Sequence, residues 1–131
     1  MKLVYPAVIT KEEDGYYVNF PDLPSTYTDG NTLAEALENA EDVLNLMLVS
    51  MEDDKVEIAA PSEMDAVDVP ANGFVNMIKS DTIAYRRRVN NKAVRKNVSI
   101  PQWLDKAAAE HNLSLSNVLQ NALMKELNYS S

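Results

Sequence analysis

A chain of 131 residues with 46% apolar residues and a formal charge of −8 is sized for one ordinary domain, or for a small domain with an appended module. The absence of cysteine excludes disulfides, thiolate zinc sites and thiol nucleophiles together. No apolar run approaches the roughly 18 residues of a membrane span, and the start MKLVYPAVITKEEDG lacks the apolar core of a secretory signal, so a cytoplasmic location is expected.

KLVYPAVIT and YYVNF are rich in β-branched and aromatic residues and predict two strands. KEEDG joins them, and its Asp-Gly pair favours a hairpin. Alternation puts Tyr16, Val18 and Phe20 on one face of the second strand and Tyr17 and Asn19 on the other. PDLPSTYTDG then brings two prolines that end the pairing, with a short third strand at STYT. Thr32 followed three residues later by Glu35 has capping-box spacing. Leu33, Leu37, Ala40, Leu44, Met47, Leu48 and Met51 follow at helical steps, so an amphipathic helix packed on the sheet is predicted. KVEIAAPS and GFVNMIKS read as two more strands. DTIAYRRRVNNKAV starts as a short helix capped by Asp81 and continues as a linker.

The charge changes sign along the chain. Residues 1–83 hold 4 Lys and Arg against 17 Asp and Glu, or −13; residues 84–131 hold 8 against 3, or +5. Between Ala84 and Ile100 lie six basic residues and no acidic one, which is the pattern of two parts with different partners or of a solvated linker. From Val94 the order is strand, helix, helix. Val94, Val98 and Ile100 alternate with Arg95, Asn97 and Ser99; Pro101 suits a first helical position; Ser114 is a plausible N-cap for LSNVLQNALMKEL.

One strand cannot pair with itself, and two short helices cannot cover their own apolar faces. A homodimer with the two strands antiparallel and four helices interlocked solves both problems. Such a ribbon exposes two copies of Arg95, Asn97 and Ser99, residue types that bond base edges in the major groove. Lys92 and Lys96 suit phosphates, as does the helix start at Ser114, Ser116 and Asn117. The competing reading is an interior or edge strand whose polar alternation is accidental.

VRKNVSIPQWLDKAAAEHNLSLSNVLQNALMKEL resembles the ribbon-helix-helix fold of bacterial repressors. YPAVITKEEDGYYVNFPDLPSTYTDGNTLAEALENA resembles the HicB family of antitoxins. Together the two cover nearly the whole chain. The resemblance implies an α+β architecture: a small, mainly antiparallel sheet with one packed helix, partly RNase H-like, and a C-terminal ribbon-helix-helix module that dimerises. The expected divisions are 1–83 for toxin binding, 84–93 as basic linker, and 94–131 for DNA binding and dimerisation, with higher oligomers open. The implied partners are a HicA-type mRNA-cleaving ribonuclease toxin and the operon's own operator DNA. Where the family often has Gly and Cys after PDLP, this chain has Ser25 and Thr26.

On this reading the acidic part complements a basic toxin, and the hairpin, the Phe20–Asp29 loop and the acidic helix face are the expected contacts. Tyr16, Phe20, Pro21, Asp22, Leu23 and Asp29 are the candidates, with Tyr16 and Phe20 equally suited to the sheet core. No catalytic residue, metal or cofactor is expected. Asp14, Asp22 and Asp29 sit at turns, His111 is a lone histidine at a helix end, and three glycines form no phosphate loop. The alternative is a ribbon-helix-helix repressor whose N-terminal domain senses a small molecule.

Overall fold

The computed structural model describes residues 1–129; residues 130 and 131, the last of the expected C-terminal module, lie outside them. The chain divides into two units, residues 1–91 and the residues from 92 onward.

In the first unit, β1 (Lys2–Glu12) and β2 (Gly15–Asn19) form the expected hairpin. The turn residues are Glu13 and Asp14, and the positive φ falls on Gly15 at +145°. β3 (Tyr27–Gly30) pairs with β2, and β4 (Gly73–Asp81) pairs with the other side of β1. The sheet order is β3-β2-β1-β4, antiparallel throughout. β1 is flanked on both sides, which fits its run of buried residues from Tyr5 to Ile9.

Helix α1 (Leu33–Asp53) starts where the spacing predicts, with Thr32 Oγ1 accepting from the Glu35 N–H at 3.1 Å. Its Ala36, Ala40, Leu44, Leu48 and Met51 pack on Tyr5, Ala7, Ile9, Val18, Phe20 and Ile78. Sheet and helix meet most tightly at Gly30, where a Cβ would stand 2.4 Å from the Ala36 backbone nitrogen. Asn45 is buried inside this helix. Its Nδ2 donates to the Glu41 carbonyl, and its Oδ1 accepts from the Asp81 N–H, so both ends of the amide are satisfied.

Two expectations change. KVEIAAPS forms no strand. β4 pairs with β1 over Lys2 to Thr10, and residues 55–62 join neither edge strand, β3 or β4. They lie across the core instead, with Ile58 packed against it and the Ala59 carbonyl accepting from Tyr5 Oη at 2.6 Å. The short helix capped by Asp81 forms as expected but runs to Val89, so the expected linker over 84–93 is helical in its first half. α2 (Thr82–Val89), capped by the Asp81 carboxylate on the Ala84 N–H, belongs to the first unit.

The second unit holds α3 (Gln102–Glu110) and α4 (Leu115–Glu126). Pro101 stands one place earlier than expected, as the cap of α3, while His111 closes that helix. Ser114 caps α4 by accepting from the Asn117 N–H at 3.3 Å. Residues 94–100 form no strand within one chain, and none of residues 92–129 is buried.

Candidate functional site

Two surfaces carry the predicted residues. The first is the loop after β2 with the sheet beside it. Phe20 and Leu23, expected as partner contacts, are buried in the core, so they brace the loop rather than face a partner. The Phe20 N–H donates to the Thr26 carbonyl at 2.9 Å, and the Leu23 N–H to the Phe20 carbonyl at 3.2 Å. Ser25 takes a left-handed conformation with φ +53°, which is where a glycine would be at ease. Thr26 is fully buried, and its hydroxyl donates to the Pro24 carbonyl at 3.0 Å. Asp22 accepts from the Ser62 N–H at 2.7 Å and the Ser62 hydroxyl at 2.6 Å, tying the loop to the segment before β4. Tyr16 is half-buried against the core, whereas Pro21 and Asp29 are exposed.

The sheet face turned away from α1 adds residues that the sequence reading did not single out as contacts. Tyr17 is 42% exposed and Tyr27 68%. Pairing of Thr10 with Tyr17, Tyr17 with Asp29, and Asn19 with Tyr27 puts all of them on this face. Tyr17 Oη donates to Asp14 Oδ2 at 2.8 Å. That bond, followed by the Asp14 charge, burial, and the charges of Asp29 and Glu12, holds the Tyr17 hydroxyl above the ordinary tyrosine range. The alternation of β2 pointed to Tyr17; the exposure of Tyr27 required knowing where β3 begins. Among the described residues, no three His, Asp or Glu side chains gather as a metal site.

The second surface is the basic run, which divides. Arg86 bonds Asp53 at 2.8 Å and Glu52 at 3.3 Å; Arg88 reaches Asp42 at 3.1 Å and lies 5.3 Å from the Tyr85 ring centre. The Asp53 bond, only partly opposed by burial, raises the Arg86 pKa, with the Glu52 bond and both charges adding to it. With these arginines included, the first unit carries 7 basic against 17 acidic residues, or −10, and the second carries 5 against 3, or +2. Lys92, Arg95, Lys96, Asn97 and Ser99 are all exposed along the extended segment before α3. Ser114, Ser116 and Asn117 stand at the start of α4 as expected.

The profile described as HicB_like antitoxin of bacterial toxin-antitoxin system matches residues 5–123. The chain belongs to the HicB-like antitoxin family. Members of this family are antitoxins, not enzymes. One relative, Antitoxin HicB 2 of Photorhabdus laumondii, is 30% identical over 121 residues, covering 91% of this chain and 87% of that protein. The fold of this HicB-like chain is also that of the toxin-antitoxin complex from Streptococcus pneumoniae, with TM-score 0.63 and 23% identity over 96% of this chain and 99% of that one. A chain of the HicA3 and HicB3 toxin-antitoxin complex matches 60% of this chain and 99% of its own length, with TM-score 0.52 and 24% identity. Among the described residues no helix is long and apolar enough to cross a membrane.

Proposed function

We propose that this HicB-like antitoxin neutralises a HicA-type mRNA-cleaving ribonuclease in the cytoplasm through its first unit, a partial RNase H-like domain. Its second unit forms a ribbon-helix-helix homodimer, open to higher assembly, that binds operator DNA and represses its own operon. The observation that carries the DNA half is that none of the described residues of the second unit, 92–129, is buried in a single chain. Trp103, Leu119 and Leu123 are exposed there, on helices too short to be stable without packing. A second copy supplies a ladder for residues 94–100 and a cover for both helices.

The ribbon then presents Arg95, Asn97 and Ser99 to the major groove, with Lys92 and Lys96 on phosphates. Ser114 already occupies the Asn117 N–H, so at the start of α4 the N–H groups of Leu115 and Ser116 and the side chains of Ser116 and Asn117 are the phosphate donors. The antitoxin half is supported by family membership and by the −10 charge of the first unit, which suits the basic face of a ribonuclease.

Full-length protein with a HicA-type toxin, and with operator DNA, tests both halves. RNA cleavage is expected to stop near one equivalent; undiminished cleavage removes the antitoxin half. Asn97→Ala is expected to weaken binding to the DNA upstream of the reading frame by about 1–3 kcal/mol and to leave random DNA nearly unchanged. Equal losses on both DNAs would contradict base reading by Asn97.

A further inference from the structure

Within the first unit the acidic surfaces are not equivalent. On α1, Asp42, Glu52 and Asp53 already face Arg86 and Arg88, while Glu35, Glu38 and Glu41 make no ion pair with a described residue. At the hairpin end of the sheet, Glu12, Asp14 and Asp29 surround Tyr17, and none of the three makes an ion pair with a described residue. By strand alternation Lys11 points to the α1 side. The cations on the outer side of β1 and β4 are Lys2 and Lys79. They lie at the far end of β1, roughly 20–25 Å from Thr10 at about 3.3 Å per residue and beyond the Debye length of about 8 Å. The hairpin end of this face is therefore anionic, whereas at the other end Lys2 and Lys79 stand beside Asp81, the cross-strand partner of Lys2.

The anionic end also has shape. Thr10, Glu12, Glu13, Asp14 and Tyr17 line a concavity there. Tyr17 exposes its ring there, held in place by its bond to Asp14, and Tyr27, the partner of Asn19, exposes its ring on the neighbouring strand two residues further from the hairpin. Aromatic faces next to unpaired carboxylates bind guanidinium and ammonium groups through stacking and charge together.

We propose that the outer sheet face at the hairpin end, and not the acidic face of α1, is the docking surface for the cationic partner protein. An Arg or Lys of that partner enters the concavity against Tyr17 while a second packs on Tyr27. The inference rests on the antitoxin reading and names the surface that reading uses. The carboxylates orient and attract, and the two tyrosines supply the contact area that sets the dissociation rate.

The test uses the full-length chain and a HicA-type toxin, with affinity read by calorimetry at two salt concentrations. Tyr17→Ala with Tyr27→Ala is expected to weaken binding by at least about 30-fold. Asp14→Asn with Asp29→Asn is expected to weaken binding more at the lower salt concentration than at the higher and so to flatten its salt dependence. Glu38→Gln with Glu41→Gln, on the exposed side of α1, serves as the contrast and is expected to stay within about threefold. All four tyrosine and aspartate positions lie on the surface or a turn, and the aspartate pair keeps the test alive if the tyrosine pair misfolds. Wild-type binding with undiminished affinity in both sheet-face variants overturns this inference and leaves the antitoxin reading standing. A larger loss in the α1 variant than in either sheet-face variant overturns it too. Failure of the wild-type chain to bind removes the antitoxin reading itself, and this inference with it.

Discussion

Ser25 is a residue at odds with its backbone. A left-handed conformation costs an ordinary L-residue about 1–2 kcal/mol, and glycine offsets this against an entropy loss of about 0.5–1 kcal/mol. Ser25→Gly is therefore expected to raise stability by roughly 0.5–1 kcal/mol, read as a shift in urea midpoint at unchanged slope. Thr26 next to it is fully buried with its hydroxyl bound to the Pro24 carbonyl, so a small side chain of cysteine size fits the same space. The resemblance identified these two positions as departures from the family. The sequence could not say that one departs in backbone conformation and the other only in a buried polar atom. The same holds for Phe20 and Leu23: an aromatic and a leucine between prolines suit either a contact loop or a core, and only the bond from Phe20 to Thr26 shows the loop folding inward.

At the scale of elements, legibility followed the number of independent local signals. α1 had a cap, a stripe and an acidic outer side, and it starts as the spacing predicts. Val56 and Ile58 alternate like a strand, yet the segment pairs with neither of the sheet's edge strands, β3 and β4. Sheet order is a long-range fact that no local pattern encodes. The segment is fixed by side chains instead: Tyr5 to the Ala59 carbonyl and Asp22 to Ser62. Burial, then the Asp22 charge, pushes the Tyr5 hydroxyl above its ordinary value of 10.0. Because the folded value is raised, the stabilisation is full below pH 10 and is lost as pH climbs through the folded value. Tyr5→Phe is expected to cost about 1 kcal/mol at neutral pH, since the exposed Ala59 carbonyl can turn to water, and to remove this part of the alkaline decline. Urea titrations at pH 8 and above pH 10 check both.

At the scale of the whole molecule, the division into an acidic and a basic part was legible, but its boundary was not. Arg86 and Arg88 looked like the start of a basic tail because charge is additive along a sequence; in space they answer carboxylates on α1. The proposed second copy is argued from residues 92–129, where an extended segment and two short amphipathic helices bury nothing in one chain. Trp103 is the only tryptophan and is 71% exposed in one chain. Its emission is expected to shift to the red on dilution, at a midpoint matching loss of the dimer in sedimentation. Emission that stays constant while the dimer dissociates would place Trp103 outside the subunit contact.

Residues 54–72 form a long crossing with a single short 3-10 turn, Met64–Ala66, and most of it is open to solvent. A protease finds its easiest cut there. Such a cut severs the polypeptide but not the assembly. The C-terminal piece still holds its nine-residue ladder on β1 and the grip of its arginines on α1. The nicked protein should elute from a sizing column as one species and part into two bands only in detergent, and the first unit should keep its shape long after its chain has been broken.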